Sequence, residues 1–270
     1  MKKSPSDRSW LLLPLLFALV IGIGLFNAYD FGRAAFERKD YKAARLWYLL
    51  SAGMGNAKAQ NNLAGLYADG LGGARDDALA VIWFREAINN GLDAARFNLS
   101  NFYEEGRGVD TDTRKAVALL ETAATQGDIV AAFNLGSICA TGRKDFPKDI
   151  PRALKWYKQA ADAGYASAQY NLGSLYAQGT DVPKNLAKAA YWFDKSARQG
   201  HAKSQLDIGT MFAYGMGMEQ NTGQGLHWLD KAAAQQSTAK EARHRITEIC
   251  QQHPDNACDP RSHTDAVGIR

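Results

Sequence analysis

Ser237-Thr238-Ala239-Lys240 sets a hydroxyl three residues before an amine. That S-x-x-K spacing serves the penicillin-recognising enzymes, where the lysine activates the serine as a nucleophile. Roughly 0.7 such matches arise by chance in a chain of this composition, and the companion S-D-N and K-T-G motifs are missing. The match reads as coincidence. His244, Cys250, His253 and Cys258 carry groups of the kind zinc takes, but their spacings follow no usual zinc pattern. HExxH, P-loop, G-x-S-x-G and CxxC sequences are all absent. No catalytic residue, metal or cofactor is therefore expected. Cys250 and Cys258 have a second use. Seven residues separate them, with Pro254 and Asn256 to turn the chain, and an oxidising compartment would pair them as a disulfide. The alternative is two unrelated thiols. Cys139 falls on an apolar helix stripe, where a thiol is inert.

Asp40, Asp76, Asp112, Asp149, Asn185 and Asn221 invite a metal-ligand reading until their register is seen. Each stands seven residues before one member of a second series, Trp47, Trp83, Leu119, Trp156, Trp192 and Trp228. That series advances in steps of 36, 36, 37, 36 and 36 residues, and Gly70, Gly106, Gly142, Gly179 and Gly215 keep the same steps. An oxygen-bearing side chain at such a position suits a helix N-cap, because it accepts from an unpaired N–H of the first turn. Capping explains position and residue type together. A fixed period in this range marks a helical repeat array, in which each unit buries its apolar face on its neighbours.

The elements that follow are pairs of helices. Phe31 to Tyr48 reads as a helix, a turn near Lys39-Asp40 and a second helix. Five longer units come next, with first helices predicted over Ala57–Asp69, Asp93–Glu105, Ile129–Thr141, Ala166–Gln178 and Ala202–Tyr214. Each second helix carries the Trp-series position. A last helix, about Thr238 to Gln252, closes the open end. In the first helices, Ala59, Leu63, Leu66 and Tyr67 and their counterparts fall three and four residues apart, on one apolar stripe. Beside it Ala64, Ser100, Gly136, Gly173 and Gly209 are small and admit a close partner helix.

The pattern AQYNLGSLYAQG, then a loop and AxxWY(F)xxAAxxG, resembles the Sel-one-like repeat, a relative of the tetratricopeptide repeat. The resemblance spans about Tyr29 to Gln252. It implies an all-α, right-handed superhelix of about six helix pairs, with first helices lining a concave groove and a non-catalytic role holding other proteins. Leu119 departs from the pattern where Trp is usual, Cys139 where an aromatic is usual, and Gln236 where a Gly ends the repeat.

With that orientation, the columns opposite the apolar stripe form the expected partner-binding groove. They include Lys58 and Lys203; the aromatics Phe97, Phe133 and Tyr170; an amide ladder of Asn62, Asn98, Asn134, Asn171 and Asp207; and Asn101, Ser137 and Ser174. Amides suit the backbone of an extended peptide, and the aromatics would serve as apolar anchors. Two alternatives stay open: the ladder bonds neighbouring helices, and the aromatics pack between repeats.

Residues 1–8 are a short basic tail with Lys2, Lys3 and Arg8, and the interval Ser9 to Tyr29 carries no charge. As a helix that interval is about 31 Å long, near the thickness of a bilayer core. It is expected to be a transmembrane signal anchor. A cleaved signal peptide is the rival, but Phe26 stands two before Ala28, where cleavage wants a small residue. The reading that follows is a repeat domain over 30–252 in the periplasm, a single span in the inner membrane, and a tail over 253–270. The formal charge of +4, less the net +2 of Lys2, Lys3, Arg8 and Asp7, leaves +2 with no basic stripe. That argues against nucleic acid as a partner. The function expected is a membrane-tethered scaffold or regulator that binds a protein or extended peptide, with an inhibitor or immunity protein of the bacterial envelope as one form. An envelope hydrolase with an unrecognised site is the alternative.

Overall fold

The structure is a computed structural model and describes residues 27–143, 145–252 and Cys258. Thirteen helices lie among them: α1 Ala28–Glu37, α2 Tyr41–Gly53, α3 Ala57–Asp69, α4 Asp77–Asn89, α5 Ala94–Glu105, α6 Thr113–Thr125, α7 Ile129–Thr141, α8 Ile150–Asp162, α9 Ala166–Gln178, α10 Leu186–Arg198, α11 Ala202–Tyr214, α12 Thr222–Ala233 and α13 Ala239–Gln252. No strand occurs among the described residues; an isolated bridge joins Arg143 to Phe146 in the α7–α8 loop. The expected all-α architecture of helix pairs is what forms.

The punctuation sets the helix ends. Side chains of Asp40, Asp76, Asp112, Asp149, Asn185 and Asn221 accept from the backbone N–H three residues on, at Ala43, Leu79, Lys115, Arg152, Lys188 and Gln224. Each saturates a donor that a helix start leaves unpaired. At the other end of the first helices, Gly70, Gly106, Gly142, Gly179 and Gly215 take φ between 67° and 70°. Only glycine enters that region without strain from a Cβ, so the chain turns there and the helix stops.

Three expected boundaries shift. The helix α1 begins at Ala28, which is buried, and Tyr29 packs on Tyr48 with ring centroids 6.0 Å apart. The last residues of the expected 9–29 span therefore belong to the first helix pair. The rest of that span, the basic tail and the 253–270 tail apart from Cys258 lie outside the described residues. Among those described, no helix is long and apolar enough to cross a membrane. The helix α5 starts at Ala94, not Asp93, whose carboxylate pairs with Arg96 at 2.9 Å rather than capping. The helix α13 starts one residue late, because Thr238 is buried and donates its hydroxyl to Ala232.

The chain divides into two compact units at Ala123/Ala124, within α6. In the first, α1 to α5 pack each on the next around Leu63, Leu66, Val81, Phe84, Leu99 and Phe102. In the second, α7 to α13 do the same around Leu135, Ile138, Leu172, Phe193, Ile208 and Met211. Its end is sealed by Leu226, Leu229 and Ile249, against which Cys250 and Cys258 pack. Those two cysteines are joined by a disulfide, Cα atoms 5.6 Å apart. The bond removes both thiols from the zinc set considered above, and no metal-binding cluster forms among the described residues. Cys139 is fully buried.

Within a pair, helices approach through the small column. A Cβ on Gly173 would lie 2.6 Å from Phe193 Cδ1, and one on Gly136 equally close to Tyr157 Cδ1. The residue after each Trp-series position, Tyr48, Phe84, Leu120, Tyr157, Phe193 or Leu229, is thus the ring or branch that fills the gap, and all six are buried. Gly65, by contrast, has nothing within 4 Å of a Cβ placed on it. Gly173→Ala is expected to destabilise the fold by about 1–3 kcal/mol through overpacking. Gly65→Ala should stabilise it by about 0.5–1 kcal/mol through lower backbone entropy. Thermal and urea unfolding of the two variants check the contrast.

Candidate partner-binding faces of the two units

The amide ladder divides according to what stands across from it. Asn62 is hydrogen-bonded to the Tyr48 hydroxyl, and Asn171 to the Tyr157 hydroxyl. Burial raises the pKa of both phenols, and the Tyr157 hydroxyl also donates to Ser137 Oγ at 3.3 Å. Where Tyr is replaced, the ladder residue turns elsewhere. Asn98, beyond Phe84, donates to Asn61 Oδ1 at 2.9 Å. Asn134, whose repeat holds Leu120 at the tyrosine position, donates to Val130 of its own helix at 2.9 Å. The last ladder residue, Asp207, lies beyond Phe193 and makes no hydrogen bond among the described residues. Asn62, Asn98 and Asn171 thus bond a neighbouring helix, and Asn134 bonds its own.

In the first unit, Asn61, Asn62, Asn98 and Asn101 line a pocket of about 400 Å³ with Phe36, Phe84, Phe102, Asp69, Glu105 and Arg107. Arg107 is held in place there: its guanidinium donates to Ala68 O at 3.0 Å and Asp77 Oδ1 at 2.7 Å, and lies 4.5 Å over the Phe102 ring. Asn101 is exposed to the opening. In the second unit, Tyr170, Ser174, Asp207 and Thr210 line a pocket of about 380 Å³ floored by Phe193, Met211 and Met216. Lys58 and Lys203 are exposed, and Phe97, Phe133, Asn134, Ser137 and Asn171 are half-buried, in neither pocket.

Two members of the aromatic column pack between helices, the alternative left open above. Phe133 packs on Tyr157 and Tyr165, with centroids 6.0 and 5.0 Å away. Tyr170 packs on Phe193 and His201, at 5.7 and 4.8 Å. Their rings pack against those of the neighbouring helices, and both residues are half-buried. Replacing Phe133 by alanine therefore opens a gap in the stack rather than sparing it. Ser204 Oγ lies 3.0 Å from His201 Nδ1, the separation of a serine nucleophile and its base. Ser204 is fully buried and donates to Ser196 Oγ, so the pair caps α11 and meets no substrate.

Helix pairs of fixed length, capped alike and packed through a repeated small-residue seam, define an α-solenoid repeat protein. The chain belongs to the Sel1 repeat family, matching that repeat over residues 22–56, 57–92, 93–128, 129–165, 166–201 and 202–237. The crystal structure of a Sel1 repeat protein from Oxalobacter formigenes is similar, with a TM-score of 0.72 at 26% identity, covering 87% of this chain and 96% of that one. So is c5321, a protective antigen present in uropathogenic Escherichia coli strains and displaying an SLR fold (TM-score 0.51, 23% identity, 94% of this chain and 74% of that one). The immunity protein PA5088 from Pseudomonas aeruginosa is more distant, at a TM-score of 0.48 and 19% identity over 83% of this chain and 87% of that one. Comparison with curated proteins finds no match.

Asp207 gives this face a titration. Burial raises its carboxyl to about 6, against the opposing pull of Lys203 and Arg245. The folded chain thus binds this proton more tightly than the unfolded one, and stability falls as pH rises from about 4 to about 6. Above that window the charged group costs on the order of 2 kcal/mol. Asp207→Asn, which restores the ladder amide, should raise the melting temperature at pH 7.5 and flatten its decline between pH 4 and 6. Melting curves of both proteins across that range check it.

Proposed function

We propose that this chain is a non-catalytic, membrane-tethered interaction protein that holds a partner protein or extended peptide against the first helices of its pairs. The observation that carries this reading is the ladder. Two of its rungs, Asn62 and Asn98, stand with exposed Asn101 at a pocket beside Phe84 and Phe102, and a third, Asp207, stands at a pocket beside Phe193. Amides with spare donors and acceptors pair with peptide backbone, and the flanking rings supply contact area. The tether is read from the uncharged interval Ser9 to Tyr29, and the periplasmic placement from the short basic tail before it. An inhibitor or immunity role in the bacterial envelope is one member of this class, and the partner's identity separates it from a scaffold. Weak clustering of Lys and Arg supports a partner other than nucleic acid.

A photo-crosslinking residue placed at Asn101 or at Thr210 in the full chain should trap the same protein in membranes. One placed at Lys158, on an outer helix, should not. Asn101→Arg should weaken capture at least about tenfold, equivalent to about 1.4 kcal/mol, with the melting temperature unchanged. Crosslinks confined to Lys158, or adducts removed by nuclease and not by protease, would defeat the reading.

A further inference from the structure

One residue before the Trp-series position the second helices are exposed and apolar in several pairs, at Leu46, Ile82 and Tyr191, but two and three residues past it only the first pair is apolar at both positions. Two and three residues past the Trp-series position stand Arg85 and Glu86 in α4, Lys158 and Gln159 in α8, Asp194 and Lys195 in α10, and Asp230 and Lys231 in α12. In α2 the same positions are Leu49 and Leu50, 41% and 47% exposed. Met54, 54% exposed, occupies the column of Asn90, Gln126, Gln199 and Gln235. Leu46 and half-buried Trp47 extend the face, and Phe31 continues it onto the first turn of α1, its ring 5.1 Å from that of Trp47. Ala43, Leu46, Trp47, Leu49 and Leu50 together line a recess of about 370 Å³.

Two further observations say what this face meets. Lys42 stands exposed one turn before Leu46, and Arg38 and Lys39 are exposed just before α2, so the cations on this rim outnumber the exposed acids Glu37 and Asp40 among them. The uncharged run Ser9 to Tyr29 also ends beside it, two residues before Phe31. Leucine and tryptophan rimmed by Lys and Arg is the composition of helices that lie in the headgroup–acyl boundary, and anionic headgroups attract the rim. We propose that the outer face of α2, with Phe31, docks on the surface of an anionic lipid bilayer. Docking would hold the first helix pair against the membrane in one orientation instead of leaving it to swing on its tether. The inference rests on the tethered reading above.

The test uses the full chain reconstituted in vesicles of phosphatidylethanolamine and phosphatidylglycerol. Cys139 is buried and Cys250 and Cys258 are bonded, so Leu50→Cys can be labelled alone with an environment-sensitive fluorophore. Lys195→Cys, in the same column of α10, is the control. At position 50 the emission should shift to the blue and lose most of its intensity to brominated lipid, while position 195 does neither. Adding Leu46→Asp and Leu49→Asp should abolish both effects. Carbonate extraction separates the two readings. Protein retained by the vesicles but unquenched at position 50 keeps the tether and overturns docking. Protein extracted yet quenched at neutral pH keeps docking and overturns the tether. Protein both extracted and unquenched overturns both. Protection at position 50 without quenching by brominated lipid assigns the face to a second copy if it grows with protein-to-lipid ratio, and otherwise to residues 10–26 of the same chain. Either result overturns the proposal.

Discussion

The contact on which the rest depends is the one between a buried ring and a missing side chain. Phe193 against Gly173, Tyr157 against Gly136 and Tyr48 against Gly32 bring paired helices closer than a Cβ would allow. Close packing turns small volume changes into steric cost, so the seam fixes the spacing of the pair. That spacing in turn puts a phenol hydroxyl, where one exists, within reach of the ladder residue of the next first helix. The polar chemistry of the ladder is therefore set by a packing decision made one residue after each Trp-series position.

This explains which rungs are spent. Tyr48 and Tyr157 engage Asn62 and Asn171 through their hydroxyls. Phenylalanine fills the same volume without a hydroxyl, and the facing rung is released. A released amide finds a neighbour or its own helix, as Asn98 and Asn134 do. A released carboxylate has only acceptors and cannot pair with a carbonyl. At Asp207 burial without a donor then acts on the acid itself, and the raised pKa follows.

The local part of this architecture was legible in the sequence. Helix caps depend on one side chain and the three residues after it, so all six capping positions could be read from spacing, and so could the bounds of the longer first helices to within one residue. The small column was legible too, since Gly136 and Gly173 mid-helix need a packing reason. What spacing could not give was the far side of a contact. Phe133 sits at a groove-facing angle, yet Tyr165 from the start of the next first helix closes over it. Gln60, Gln169 and Gln205 went unread. Each is buried, donates to the preceding second helix at Ala52, Ala161 or Ala197, and accepts from Asn90, Gln199 or Gln235 thirty residues on. Their columns are interrupted by Arg96 and Ala132, so no periodic signal marked them.

Those interruptions bear on where function lies in a repeat protein. A position that keeps its residue type through every unit is already explained by the unit's own folding: the caps by helix starts, the Gly series by helix ends, the seam by the paired ring. Each unit repeats that requirement, and none of it distinguishes one partner from another. Recognition must then come from columns whose occupants the fold tolerates in several forms. The ladder rung opposite a Phe is such a place, because either Asn or Asp fits it sterically and only their charge differs. The column holding Leu50, Glu86, Lys195 and Lys231 is another, since those four are exposed and packing imposes no choice on them. Exposed leucine carries a hydrophobic cost that charged residues at the same position avoid. The proposed bilayer contact would take Leu50 out of water and remove that cost.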